Sequence, residues 1–308
     1  MTITEMLGIQ YPLFSGAMMH IANHKLVGAV SEAGGLGILA SAGLTADELR
    51  VEIVKTRELT DKPFGVNLML QMKNCPELAQ VIIDEGVKVV TTGAGNPASY
   101  IGPLHAAGIK VIPVIASVHH ALKMTAAGAD AVVAEGQESG GHIGQTSTMA
   151  LLPQVVDAVD IPVIGAGGVG DGRSVAAMFA LGASGVQCGT IFLTAAECPV
   201  ADAYKQRVLA ASDTDTIVTG RAHRDPVRAL RNPMLEHYLQ LERAAAPVSE
   251  LKTLADGSFE RAVDHGDVDG GTPMAGEVAG MFTQIRPAKE IIETLFSQAN
   301  QVAASLTV

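Results

Sequence analysis

Short, wholly apolar runs alternate along the chain with longer segments in which apolar residues recur every three or four positions. The first kind reads as β-strands buried on both faces, the second as amphipathic helices lying over them. Strands are predicted at Tyr11–Ala17, Leu36–Ala40, Pro63–Leu70, Val87–Thr91, Lys110–Ile115 and Ala131–Glu135. Two more follow, Ile161–Ala166 and the run Gly185-Val-Gln-Cys-Gly-Thr190. Helices are expected between them at Asn23–Ala33, Thr45–Glu58, Pro76–Glu85, Pro97–Ala107, Ser117–Ala127, Thr148–Val159 and Arg173–Leu181. Thr45 with Glu48 three residues on makes a capping box for the second of these helices. Strands that keep alternating with helices, each ending in polar or glycine-rich residues, predict an α/β parallel architecture. Eight such repeats fit a (β/α)8 TIM barrel better than an open sheet.

After Thr194 the rhythm stops. Val200–Ala211 reads as a helix, Thr214–Thr219 as a short strand, Asp225–Leu251 as helix-rich and charged, and Gly257–Gly280 as a glycine-dense loop. Ile285–Ala303 is the expected terminal helix, the eighth of the barrel. The organisation expected is a barrel over 1–194 and 276–308. A smaller helix-rich insertion at 195–275 would lie in the last βα connection, covering the face where barrel active sites lie.

Composition narrows the function classes. Aromatic residues are only 4% and Trp is absent, so the core is aliphatic, as strands covered on both faces require. A formal net charge of −11 offers no basic stripe for a nucleic-acid backbone, so no nucleic-acid partner is expected. Cys75, Cys188 and Cys198 have no paired spacing, which points to a reducing compartment and no zinc or other metal site. The first residues lack the basic region of a secretory leader, and no apolar run reaches the roughly 18 residues that span a bilayer. A cytoplasmic protein without a membrane partner is the expectation.

Five stretches carry candidate chemistry. Gly167-Gly168 and Gly189-Thr190 end the seventh and eighth strands, where bare backbone N–H groups make a phosphate cradle. Gly165-Ala-Gly-Gly-Val-Gly170 also matches the dinucleotide pattern GxGxxG. It sits in the wrong strand, however, and the next strand ends in Gln187-Cys-Gly with no acidic residue for a ribose. The second stretch is Glu135-Gly-Gln-Glu-Ser-Gly-Gly-His142-Ile-Gly144, after the sixth strand. A glycine-framed histidine on the catalytic rim suits proton transfer. Third, Thr91-Thr-Gly-Ala-Gly-Asn-Pro97 offers backbone donors and an amide, while Ser15-Gly-Ala-Met18 and Asn67 close the first and third strands. Small residues there would let a flat ring lie across the barrel mouth, with Asn67 at its polar edge.

The fourth stretch is His265-Gly-Asp-Val-Asp-Gly-Gly-Thr-Pro-Met274-Ala-Gly276. It lacks the remaining ligands of a calcium hand and reads as a loop folded over a cofactor. Finally, Arg221, Arg224, Arg228 and Arg231 would share one face if their segment were helical, serving either an acidic partner or internal salt bridges.

These motifs together resemble the flavin-dependent enoyl-acyl carrier protein reductase II family, FabK, over nearly the full chain. The matching stretches are Ala33-Gly-Gly-Leu-Gly-Ile38, Lys62-Pro-Phe-Gly-Val-Asn67, Val87-Lys-Val-Val-Thr-Thr-Gly-Ala-Gly-Asn-Pro97, Gly140-Gly-His-Ile-Gly144, Ile161-Pro-Val-Ile-Gly-Ala-Gly-Gly168 and the His265 loop. The barrel motifs are shared with nitronate monooxygenases of the same superfamily. The His265 loop and the Thr91–Pro97 turn look like the reductase branch.

The resemblance implies FMN as bound cofactor, with NADH or NADPH as co-substrate. It implies reduction of the 2,3 double bond of trans-2-enoyl thioesters, presented as enoyl-acyl carrier protein or enoyl-CoA, in bacterial fatty-acid elongation. It assigns Gly167, Gly168, Gly189 and Thr190 to the FMN phosphate. Gly16, Ala17, Met18, Asn67, Thr92, Glu135, Gly141, Ala166, Gln187, Met274, Ala275 and Gly276 would surround the rest of the cofactor. Gly95, Asn96 and His142 would meet substrate, with His142 catalytic, polarising the thioester carbonyl or supplying the proton. A homodimer is expected. The rival readings are a nitronate monooxygenase, in which His142 would match the base, and a flavin-free phosphosugar-binding barrel.

Overall fold

The computed structural model describes residues 1–306, so the last two residues of the expected 276–308 segment lie outside it. Eight parallel strands form the central sheet: β1 Leu13–Ser15, β2 Gly37–Ala40, β3 Phe64–Met69, β4 Val89–Gly93, β5 Lys110–Ile115, β6 Val132–Glu135, β8 Val163–Ala166 and β9 Gly185–Cys188. The missing number, β7, is the two-residue strand Gly141–His142, which lies outside the barrel. Sheet order β1-β9-β8-β6-β5-β4-β3-β2 runs once around, and Leu36 joins its two ends. The Leu36 amide donates to the Leu13 carbonyl (2.8 Å) and the Ser15 amide to the Leu36 carbonyl (2.9 Å). The sheet is therefore a closed (β/α)8 barrel, and closure removes the exposed edges an open sheet would present.

Why these residues make staves follows from their burial. Alternate positions fill the lumen: Phe14, Ile38, Val89, Ile112, Val133 and Ile164 belong to one buried cluster. Ile3, Leu7 and Ile9 join that cluster, so the short helix Ile3–Leu7 plugs the end opposite the strand C-termini. Intervening positions face outward against the helices, forming two larger aliphatic clusters. The expected capping box is present: the Thr45 side chain accepts from the Glu48 amide, and Glu48 accepts from the Thr45 amide.

The terminal helix runs Ala288–Ser305, starting behind Pro287, and packs between helices Gly172–Ala180 and His24–Glu32 to complete the outer ring. Its approach to the first of these is close. A Cβ added at Gly172 would lie 2.3 Å from Gln298 Cβ and 2.5 Å from the Ala299 nitrogen, so only glycine fits.

Between β9 and that helix the chain is more mixed than expected. Strands β10 Thr216–Thr219 and β11 Val227–Leu230 pair antiparallel, and β11 also pairs with β7. The four arginines consequently share no helical face. Arg221 sits in a 3-10 turn, Arg224 has φ of +61°, Arg228 lies in β11 and Arg231 follows it. Pro226 and the β-branched Val227 favour extended backbone, which overrides the apparent helical spacing. Part of the expected glycine loop is also ordered, as helix Ser258–His265. Among the described residues no helix is long and apolar enough to cross a membrane.

Candidate active site

The ends of the staves open into a cavity of about 710 Å³, within the roughly 300–1,000 Å³ typical of small-molecule sites. Its deepest polar feature lies where β8 and β9 end side by side, Ala166 opposite Gln187. Gly167 and Gly168 turn away with φ of +89° and +79°, a conformation that glycine adopts without strain. Among the described residues, no carbonyl or side chain accepts the amide N–H of Gly167, Gly168, Gly189 or Thr190, and all four residues line the cavity. A Cβ on Gly168 or Gly189 would meet nothing closer than 3.7 Å or 3.8 Å, so their open faces leave room for a ligand. Four unpartnered donors converging on one open corner fit a phosphate monoester, whose oxygens would accept them.

The corner is braced from behind. Glu138, which lines the cavity beside Gly168, has its carboxylate tied up accepting the Thr148 amide at 2.9 Å and the Thr148 hydroxyl at 2.8 Å. The Thr148 hydroxyl lies 3.1 Å from the Gly167 carbonyl. Thr190 Oγ1 accepts the Gly276 amide (2.9 Å), and the Tyr204 hydroxyl donates to the Met274 carbonyl (2.6 Å). A Cβ on Gly140 would lie 2.7 Å from the Ala275 carbonyl carbon. The folded-over loop is thus docked on Gly140 and Thr190. Met274 reaches the cavity, while Ala275 and Gly276 hold the loop in place without lining it.

Around the mouth, Gly16, Ala17, Met18, Asn67, Gly95, Glu135 and Gly141 line the cavity as expected from sequence, with Ala166 and Gln187 beside the glycine corner. Besides Ala275 and Gly276, two further predicted residues, Thr92 and Asn96, do not. Alternation along β4 turns Thr91 to the cavity and Thr92 away from it, and Thr91 Oγ1 accepts from Asn67 Nδ2 at 2.9 Å. Asn96 is occupied in accepting the Ala98 amide (3.2 Å) at the start of helix Ala98–Ala106.

Glu135 ends β6 half-buried, its remaining exposure turned to the cavity. Burial pushes its carboxyl up to about 7, with a smaller opposing pull from Ser139. Cys188 also lines the cavity, but burial raises its thiol to about 12, so it stays protonated and supplies no nucleophile.

His142 is held by an element that sequence reading left as loop. It pairs with Val227 of β11, and the Ile143 amide donates to the Pro226 carbonyl (3.0 Å). Its Nε2 stands 3.2 Å from Asp225 Oδ1. The two side chains are both largely exposed and stand at ion-pair distance, with Asp225 on the Nε2 side of the ring. Among the other lining residues, Thr91, Glu138 and Arg224 lie in stretches singled out from sequence but without a site role there, and Asp225 carries no chemical role in the sequence reading. The period-2 pattern of β4 could have found Thr91. Nothing local signals Asp225, which meets His142 only through the β7–β11 pairing.

Comparison with known proteins agrees with this geometry. The family model described as nitronate monooxygenase matches residues 1–81 and 77–298. FabK from Thermotoga maritima superposes with a TM-score of 0.96 at 44% identity, covering 99% of this chain and 97% of that one. The (3aS,4S,5R,7aS)-5-hydroxy-7a-methyl-1-oxo-octahydro-1H-indene-4-carboxyl-CoA dehydrogenase of Rhodococcus jostii is 42% identical over 270 residues, 86% of this chain and 76% of that protein. A probable nitronate monooxygenase of Staphylococcus saprophyticus is 30% identical, over 97% of this chain and 98% of the relative. Matched by the family model over nearly its whole length, this chain belongs to the nitronate monooxygenase family.

Proposed function

We propose that the protein is a cytoplasmic, FMN-dependent reductase of 2-enoyl thioesters that draws its reducing equivalents from NADH or NADPH. The observation that carries this reading is the set of four unpartnered amides at Gly167, Gly168, Gly189 and Thr190, in the same cavity as His142. Those amides would take the FMN phosphate. Ala17 and Met18 would lie against the ring, and Asn67, fixed by Thr91, would hydrogen-bond its polar edge. Bound there, the flavin would supply the relay of a hydride equivalent from nicotinamide to the enoyl β-carbon.

The chain's own residues would do the rest. Met274, held through its carbonyl by Tyr204, would lie over the bound cofactor. His142, with Asp225 beside its Nε2, would face the thioester, polarising its carbonyl or delivering the α-carbon proton. The insertion at 195–275, read as a smaller domain, would act as the cap from which Asp225 and Met274 reach the mouth. A homodimer is part of the same proposal. The likeness to FabK supports the enoyl reductase, and the likeness to a carboxyl-CoA dehydrogenase supports a coenzyme A thioester as carrier.

Anaerobic mixing with NADH or NADPH tests the proposal. Bleaching of the flavin, then reoxidation by a crotonyl thioester, is the expected course. The family match favours a second reading, nitronate oxidation with His142 as base. An unbleached flavin with oxygen uptake on adding a nitronate would establish that reading and overturn the first.

A further inference from the structure

A second cavity, of about 720 Å³, adjoins the first and shares Ile143, Gly144, Arg224 and Pro226 with it; Gln145 and Arg221 complete its lining. Two guanidinium groups among six lining residues make a cationic patch in a chain of net charge −11. Among the described residues, eight of the eleven arginines stand within 4.0 Å of a carboxylate; Arg221, Arg224 and Arg243 do not. The side-chain partner of Arg221 is the neutral Gln137 Oε1, at 3.4 Å. Asp225, between the arginines and β11, is turned to His142 instead.

The turn bearing these arginines is held without them. Glu242 accepts the amides of Gly220 (3.2 Å) and Ala222 (2.9 Å), and the Asp225 amide donates to the Gly220 carbonyl (3.1 Å). The backbone doubles back so tightly that a Cβ on Gly220 would lie 2.1 Å from the Asp225 carbonyl oxygen. Both guanidinium forks are thus carried on a turn braced by Glu242, and neither makes an ion pair with it or with Asp225.

We propose that Arg221 and Arg224 form a phosphoryl subsite, gripping a phosphate or diphosphate on a ligand whose reacting end enters the first cavity beside His142. Planar guanidinium forks bind phosphoryl oxygens in bidentate fashion, and the two cavities adjoin at Ile143, Gly144, Arg224 and Pro226, next to His142. The identity of that ligand rests on the reductase reading. The phosphoryl group belongs either to the arm of the thioester or to the dinucleotide reductant.

The test is calorimetric titration of the full chain and of the double variant Arg221→Gln/Arg224→Asn, asparagine being tolerant of the positive φ at position 224. Coenzyme A, pantetheine, NADPH and NADH are the probes, each at low and at high salt. The wild type should bind phosphorylated probes with salt-sensitive affinity, and the double variant should bind them about 10- to 100-fold more weakly. Pantetheine should be unaffected. Weakening confined to coenzyme A assigns the subsite to the thioester arm, and weakening confined to the nucleotides assigns it to the reductant. Equal affinity of both proteins for all four probes overturns the proposal, as does a wild type that binds none. A flavin that NAD(P)H fails to bleach in the same preparation would instead sink the reductase reading, leaving the titrations to decide the subsite.

Discussion

Replacing Glu135 with glutamine isolates the electrostatic character of the cavity floor. The carboxyl rises from an ordinary 4.5 to about 7 because burial penalises its charged form. At 1.36 kcal/mol per tenfold change in proton affinity, the rise corresponds to about 3.4 kcal/mol. Cavity water screens part of that, so about 1–3 kcal/mol is expected. The sign follows from linkage: the native state holds its proton more tightly than the unfolded chain. The wild type is therefore unpenalised below pH 4.5, loses stability as pH rises towards about 7, and carries the full penalty above that. Glu135→Gln has no charge to bury, so its advantage over wild type should be near zero at pH 4 and reach about 1–3 kcal/mol at pH 8. Urea denaturation of both proteins, stripped of bound small molecules, across that range measures the difference. Parallel curves of stability against pH would show that Glu135 ionises freely, and the account of a carboxyl raised by burial would fail.

Gly168→Asp sets a carboxylate in the phosphate corner, and protein refolded with excess FMN should emerge colourless; full flavin content would remove the corner from the binding site. His142→Ala should retain flavin but slow reoxidation by a crotonyl thioester by about 10²–10⁴-fold in stopped-flow absorbance, with flavin reduction by nicotinamide little changed. An unaltered reoxidation rate would exclude His142 from the chemistry. Gly172→Ala forces a methyl into the seam with the terminal helix and should cost about 1–3 kcal/mol in urea denaturation, while a neutral result would mean that the helix can shift aside.

The barrel was legible because its signal is local and repeated. Runs such as Lys110-Val-Ile-Pro-Val-Ile115 carry their own strand propensity, and the predicted bounds coincide with the observed ones there. Boundaries slipped where strand merges into polar turn. β4 was expected to end at Thr91 but continues to Gly93, because its backbone pairs with β3 up to Met69. The extension carries Thr92 into the strand, where alternation turns it from the cavity that Thr91 lines.

The insertion was less legible because its order comes from pairings far apart in sequence. Gly141-His142 has no strand propensity of its own and becomes β7 only where Val227 and Arg228 present an edge. The glycine corner lay between these extremes. Its residues were readable, but their availability as donors depends on which carbonyls lie nearby, and only the folded chain determines that.

The β7–β11 pairing divides the machinery into two tiers. The anion corner belongs to staves β8 and β9, whereas the rim histidine is stitched by its backbone to a ribbon drawn from the chain's most irregular third. Exchange or drift of that ribbon can re-aim the imidazole, or change its acidic neighbour, while the grip beneath stays intact. Relatives named for dehydrogenating and oxygenating chemistries would then differ chiefly in an exchangeable upper storey, and grafting residues 220–230 between them should move the reaction while leaving binding at the glycine corner unchanged.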